Sequence, residues 1–312
     1  MKSKTHRMAL IILPIVLVVL ISGCSSSGPV STSALTITRF EPDTPSSATQ
    51  PLEAGESFGL LLDVKNDGEP DPEGTKYVMR NLVVELFEDA NKFTSGQPTK
   101  DSSVTKLDQG DTHEYLFSLR APTTGTAKQI QDYTIAARVH YSYQTDASRK
   151  IKLVDKAELK RRLDNSQELP LSEQATTTTK GPLTVVIGAS PKAGEEQFIK
   201  VTPQKKSYTL PITIKNTGNG VVARESAFGD SSSDYKVDLT ITGADIVPSS
   251  DTNGCRQRTT VKLSKGEEKT LQCEFSVNNK DIIVDSSLVN VHLAYNYYTD
   301  TKTTLNVARP TT

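Results

Sequence analysis

Hydrophobic and polar residues alternate along most of this chain. Phe58, Leu60, Leu62 and Val64 fall on one side of a period-two pattern. So do Tyr208, Leu210, Ile212 and Ile214, and likewise Ile135, Ala137, Val139, Tyr141 and Tyr143. Alternation over four or more residues predicts half-buried β-strands. In the first half of the chain it predicts seven, at 35–40, 58–65, 81–87, 103–107, 113–119, 133–143 and 149–154. Asn66-Asp67-Gly68, Asn216-Thr217-Gly218, Gly110 and Gly266 punctuate them with residues that tolerate turn backbone.

The pattern is written twice, in the same order. Leu35-Thr36-Ile37 matches Leu183-Thr184-Val185. Phe58–Gly68 matches Tyr208–Gly218, and Val84-Glu85-Leu86 matches Val237-Asp238-Leu239. Lys106–Asp111 matches Lys262–Glu267. Val139–Tyr143 aligns with Val291–Tyr295, and Thr145-Asp146 with Thr299-Asp300. Small drifts between blocks are what loop insertions produce in a duplicated unit. About seven short strands in each copy predict an all-β chain of two tandem immunoglobulin-like β-sandwich domains, residues 35–154 and 181–309. Residues 155–180 join them. There Asp155-Lys156-Ala157-Glu158 has the spacing of a capping box, and Leu159 and Leu163 share a helical face. A Thr-rich linker follows this short helix. Lys160, Arg161 and Arg162 raise a second possibility, a basic docking helix.

Certain motifs carry a resemblance. Each copy has an alternating strand ending in Lys-Asn-x-Gly (65–68 and 215–218). Each then has a Leu-x-x-Gly-Asp/Glu turn (107–111 and 263–267) and a late Tyr-rich strand. This set resembles the cell-adhesion-related Ig-like domains of bacterial and archaeal surface proteins. The resemblance implies an extracellular adhesion or scaffold module and offers no catalytic residues to carry over. The long loops at 67–80 and 217–235, and the inserted helix, depart from it.

The N-terminus gives an address. Lys2, Lys4 and Arg7 precede a 13-residue apolar run, Ala9–Ile21, which Pro14 interrupts. The run is shorter than the roughly 20 residues a spanning helix needs. A charged start, a short apolar middle and small residues before a cut predict a signal peptide over residues 1–23. Ile21-Ser22-Gly23-Cys24 resembles the lipobox of prokaryotic lipoproteins. The resemblance implies that Cys24 is lipidated and becomes the new N-terminus. Residues 24–34 read as a Ser-rich tether. The expected location is the outer face of the cell membrane, held by the lipid anchor.

Composition narrows the chemistry. The chain holds 36 basic and 37 acidic residues, and loss of Lys2, Lys4 and Arg7 takes the net charge from −1 to −4. Such a balance argues against nucleic acid as partner. With four His, three Cys and no Trp, little material exists for a nucleophilic triad or a metal site. No enzyme activity and no cofactor are expected. Cys255 and Cys273 flank one predicted strand in the second copy and lie within reach of a disulfide. The alternatives are free thiols or two ligands of an incomplete metal site. Asp67, Glu69, Asp71 and Glu73 form an acidic loop that could offer oxygen ligands to Ca²⁺, though Pro72 breaks the EF-hand pattern. Asp230 and Asp234 are the weaker counterpart. His140 and His292 are aligned at one repeat position and expected on the solvated strand face. Of the late tyrosines (133, 141, 143, 295, 297 and 298), Tyr298 is expected to be exposed.

The sequence therefore leads to a non-catalytic adhesion, scaffold or envelope-assembly role through contacts with another envelope or surface protein. The alternative is a ligand-binding surface module for calcium or surface glycans. The expected outcome of Cys24→Ser is release of the protein from the membrane fraction into the medium, checked by immunoblot of fractionated cells. Complete retention in the membrane would refute the lipid anchor.

Overall fold

The computed structural model of the chain describes residues 34–68, 79–95, 99–123, 130–167, 176–188, 198–202, 207–224, 235–243, 246–248, 255, 258–277 and 284–308. Thr32–Thr312 is one compact unit, and Met1–Ser31, which includes Cys24, lies outside the described residues. The first copy contributes β1 (Leu35–Pro42), β2 (Ser57–Asn66), β3 (Met79–Glu88), β4 (Thr94–Ser95), β5 (Lys100–Asp101), β6 (Lys106–Leu107), β7 (Thr112–Arg120) and β8 (Gln131–Asp155). Helix α1 (Lys156–Asp164) and β9 (Thr177–Thr178) follow. The second copy contributes β10 (Leu183–Ile187), β11 (Phe198–Val201), β12 (Ser207–Asn216), β13 (Val221–Arg224) and β14 (Lys236–Gly243). It ends with β15 (Ile246–Pro248), β16 (Arg258–Lys262), β17 (Glu268–Val277) and β18 (Val284–Val307).

The chain is all-β apart from α1 and one short 3-10 turn among the described residues. Its strands form three sheets. Two have four strands each, in the orders β1-β2-β7-β4 and β10-β12-β17-β15. The third has ten, along the path β16-β14-β18-β8-β3-β5 with β6, β9, β11 and β13 attached beside it. The inward series predicted from alternation is buried: Phe58, Leu60, Leu62 and Val64 on β2, Tyr208, Leu210, Ile212 and Ile214 on β12, and Ile135 through Tyr143 on β8. Both small sheets pack against one face of the large sheet, so their side chains and its odd-numbered positions make one continuous core.

The expected strands 133–143 and 149–154 are a single strand of 25 residues. Thr145, Ala147 and Arg149 continue the inward series and are as buried as the apolar residues before them. Their polarity and small size hid that continuity in the sequence. The second copy repeats the feature in β18, which is 24 residues long. The two long strands pair antiparallel over their whole length, from Gln131 opposite Val307 to Val154 opposite Val284. The repeat said nothing about how its copies associate; this ladder merges them into one sheet.

The register also corrects the repeat alignment. Ser142 lies opposite Asn296, with Tyr141 opposite Tyr297 and Tyr143 opposite Tyr295. Tyr141-Ser142-Tyr143 therefore corresponds to Tyr295-Asn296-Tyr297, at a spacing of 154. At that spacing the equivalent of His140 is Ala294, and the equivalent of His292 is Arg138. A local twofold passes between Ser142 and Asn296, and the contacts around it are reciprocal. Each copy's small sheet reaches across it: β1 packs against β18, and β10 against β8. Leu52 bridges in parallel to Val307, and in the other half Ile199 on β11 lies parallel to Leu153. Each half of the core thus contains a strand end from the other copy.

Turns fall where Asn and Gly placed them. Asn66 is fully buried; its side-chain oxygen accepts from Gly68 N–H at 3.0 Å and its amide donates to Leu107 O at 2.9 Å. Asn216 repeats the first bond with Gly218 at 3.1 Å. Neither glycine can carry a side chain, because a Cβ would strike the hydroxyl of Tyr143 at Gly68 or of Tyr297 at Gly218. In α1, Asp155 caps as expected, accepting from Ala157 N–H at 2.7 Å and Glu158 N–H at 3.2 Å. Leu159 is buried, but Leu163 is 57% exposed, so the helix buries only its first turn's leucine.

Because the copies share a core, a single unfolding transition is expected by calorimetry. Leu153→Ala, in the first copy's strand beside the second copy's β11, lowers that single transition by about 2–5 kcal/mol of stability. Two resolved transitions, with only one of them shifted, would refute the shared core.

Candidate functional site at the junction of the copies

Alternation sends the even-numbered residues of β8 and β18 to the outer face of the large sheet. There β3 brings Phe87 opposite Ala136 and Glu85 opposite Arg138, while β18 brings Asp300 opposite Arg138 and Tyr298 opposite His140. The Arg138 guanidinium donates two bonds to the Asp300 carboxylate, both at 2.8 Å. It also lies 4.3 Å from the ring centre of Tyr298 and 5.3 Å from that of Phe87. The carboxylate and the ring faces attract the cation from different directions. His140 stands against Tyr298 with ring centres 5.3 Å apart. The result is a cation held between aromatic rings on a rigid sheet, with Arg138 35% and Asp300 37% exposed.

Electrostatics follow from this packing. Asp300 holds the Arg138 pKa above its ordinary value. Burial, with the Arg138 charge adding to it, pushes the His140 pKa down to about 4. Across the local twofold, His292 takes Arg138's place and Asp146 takes that of Asp300, with Nδ1 and Oδ1 2.7 Å apart. Sequence reasoning put both histidines on the outer face, and that is where they lie. It left them solvated and unpartnered, whereas one is half-buried beneath a tyrosine and the other meets a carboxylate of the other copy. Arg138, Asp300, Phe87 and Asp146 were missed. Their one signal is that basic residues 138 and 292, and aspartates 146 and 300, recur at the spacing of 154.

The other expected residues find simpler settings. Cys255 and Cys273 form a disulfide with Cα atoms 5.2 Å apart, tying the segment before β16 to β17. A closed loop of this length contributes roughly 3 kcal/mol in the chain-entropy model. Asp67 is bound by Lys65 at 2.7 Å, a bond that lowers its pKa. Glu69, Asp71, Glu73, Asp230 and Asp234, like Cys24, lie outside the described residues. Among the described residues no group of three His, Cys, Asp or Glu is placed to hold a metal ion. None of their helices is long and apolar enough to cross a membrane. Tyr133, Tyr141, Tyr143, Tyr295 and Tyr297 are core residues, and burial drives the Tyr141 and Tyr295 pKa values well above normal. Of the basic trio on α1, Arg161 and Arg162 both bind Glu158, each at 2.7 Å, and pull its pKa down to about 2.

Aromatic rings and an ordered arginine are the groups that dominate protein interfaces. No protein-family model matches this chain, and no curated protein is detectably similar to it in sequence.

His140 supplies a pH test. Its folded pKa lies below the unfolded value of about 6.5. The unfolded chain therefore takes up the proton first as pH falls. The His140 contribution to stability is complete above pH 6.5 and is lost as pH drops towards 4. The expected midpoint of His140 in an NMR titration is near pH 4. His140→Gln flattens the decline in Tm between pH 6.5 and 4. A midpoint near the ordinary histidine value would refute the packing under Tyr298.

Proposed function

We propose that this protein is a lipid-anchored cell-surface protein with two Ig-like modules and a non-catalytic adhesion, scaffold or envelope-assembly role. The outer-face cluster carries the reading: Arg138 is ordered between Phe87 and Tyr298 and bound by Asp300, a half-exposed contact surface set on a rigid sheet. The lipobox-like Ile21-Ser22-Gly23-Cys24, the tether behind it and the Cys255–Cys273 disulfide support an exported, membrane-held location. Two acyl chains on Cys24 would give stable anchoring. Residues 24–34 then give reach, at most about 3.5 Å per residue. The fused β unit presents its outer face and loops to an envelope or surface protein.

Cross-linking on intact cells, followed by mass spectrometry, tests this. The expected result is a reproducible protein partner linked through residues near Lys302 or Lys100, the lysines beside the cluster. The Arg138→Ala, Tyr298→Ala double variant loses that partner while keeping its melting transition. Links only to itself, with calcium or surface glycans altering its melting, would replace this role with ligand binding.

A further inference from the structure

The junction between the copies has the form of a dimer interface within one chain. Several contacts around the local twofold recur at equivalent positions in both halves. Arg138 meets Asp300 on one side, and His292 meets Asp146 on the other. Leu52 meets Val307, and Ile199 meets Leu153. Ser142 Oγ donates to Asn296 Oδ1 at 2.6 Å on the axis itself, where both residues are buried. The two surfaces use equivalent positions, as in an isologous interface, but furnish them with different side chains. Nothing in such contacts records which chain supplies the second surface. Only the connection between Asp155 and Leu183 does so.

That connection touches both copies. Helix α1 packs on β8 through the buried Leu159; Thr177 and Thr178 pair with Ser148 and Ala147, Thr179 bonds twice to Asp146, and Tyr143 donates to Lys180 O, while Thr176 and Thr178 bond to Ile187 and Val185 on β10. Residues 166–175, Ser-Gln-Glu-Leu-Pro-Leu-Ser-Glu-Gln-Ala, are mostly polar and separate the helix from that pairing. We infer that two chains exchange copies through this junction, so that the first copy of each pairs with the second copy of the other. The partner is a second copy of this same chain, and the surface is the β8–β18 ladder with its reciprocal ends. This rests on the register alone and holds wherever the protein resides.

Exchange leaves every junction contact intact. The monomer and the exchanged dimer differ in linker closure and in the entropy of joining two chains. A short tether gives its own copy an effective concentration of order millimolar. Dilute folding therefore yields monomers, and folding near millimolar density, as on a crowded surface, yields dimers. Once made, each form persists, because conversion must open a ladder that runs the length of β8.

The test uses the mature chain from residue 24 carrying Cys24→Ser, in two differently tagged forms. One bears Arg138→Cys and the other Asp300→Cys, positions directly opposite in the ladder. Both are unfolded in urea without reductant, which preserves the Cys255–Cys273 bond, and refolded together at about 10 μM and about 1 mM. Peptide mapping then locates the new disulfide. The expected result is a 138–300 bond joining the two tags, rising from about one chain in two hundred to about a quarter at the higher concentration, since only mixed pairs carry both cysteines. A single chain bearing both cysteines, refolded dilute, closes the bond internally and shows that the variants fold. Internal closure in that control with no bond between tags at either concentration would overturn the exchange. So would a concentrated double-cysteine dimer whose 138–300 bonds all lie within chains.

Discussion

The pairing of β8 with β18 is the constraint on which the rest of this structure depends. Antiparallel neighbours send opposite residues to the same side, so one register settles two faces at once. On the inner face it aligns Tyr141 with Tyr297 and Tyr143 with Tyr295, with ring centres 5.7 and 6.3 Å apart. On the outer face it sets Arg138 against Asp300 and Asp146 against His292. A slip of one residue would expose the tyrosines and bury the ion pairs, a large penalty in either direction. The ladder is therefore held by both faces together.

From that constraint follows the interleaving of the copies. A strand of 25 residues is far longer than one small sandwich can cover, since typical strands run about five or six residues. The first part of β8 lies with β3 of its own copy. Its far part is covered by β10 and flanked by β11 of the other copy. Arg149 shows how closely the second copy depends on this: its buried guanidinium donates to Ile187 O on β10. The same logic ties β1 and Leu52 to the end of β18.

Against this near-symmetry, the differences between the halves are informative. The disulfide belongs to the second copy alone. The aromatic clamp on the cation belongs to the first, where Phe87 and Tyr298 flank Arg138; Gln144 occupies the position equivalent to Tyr298. Arginine keeps its charge at any working pH, whereas histidine does not. The two sides of the ladder are thus furnished differently, with the aromatic rings on one of them.

Much of the fold was legible in the residues. Alternation located the main strands because one face of each is buried and the other is not. Asn66, Gly68, Asn216 and Gly218 located turns, because each Asn side chain accepts from the amide two residues on and each Gly admits the close approach of a tyrosine hydroxyl. Asp155 located the helix start through its bonds to free amides, and Cys255 and Cys273 lay within reach of a disulfide that the structure then shows. Less of the contact surface could be read. Arg138 and Asp300 lie 162 positions apart, and no local pattern relates them. Leu163 looked like a core residue because helical spacing assigns a face without saying whether anything covers it. The sequence by itself determined local conformation, the side of each strand that seeks the core, and the existence of two copies. The association of those copies, the continuity of β8 through Thr145 and Arg149, and the cluster around Arg138 were decided only by tertiary structure. The reason is physical: strand pairing between distant segments is chosen by complementarity of whole faces, and that energy has no expression at short range along the chain.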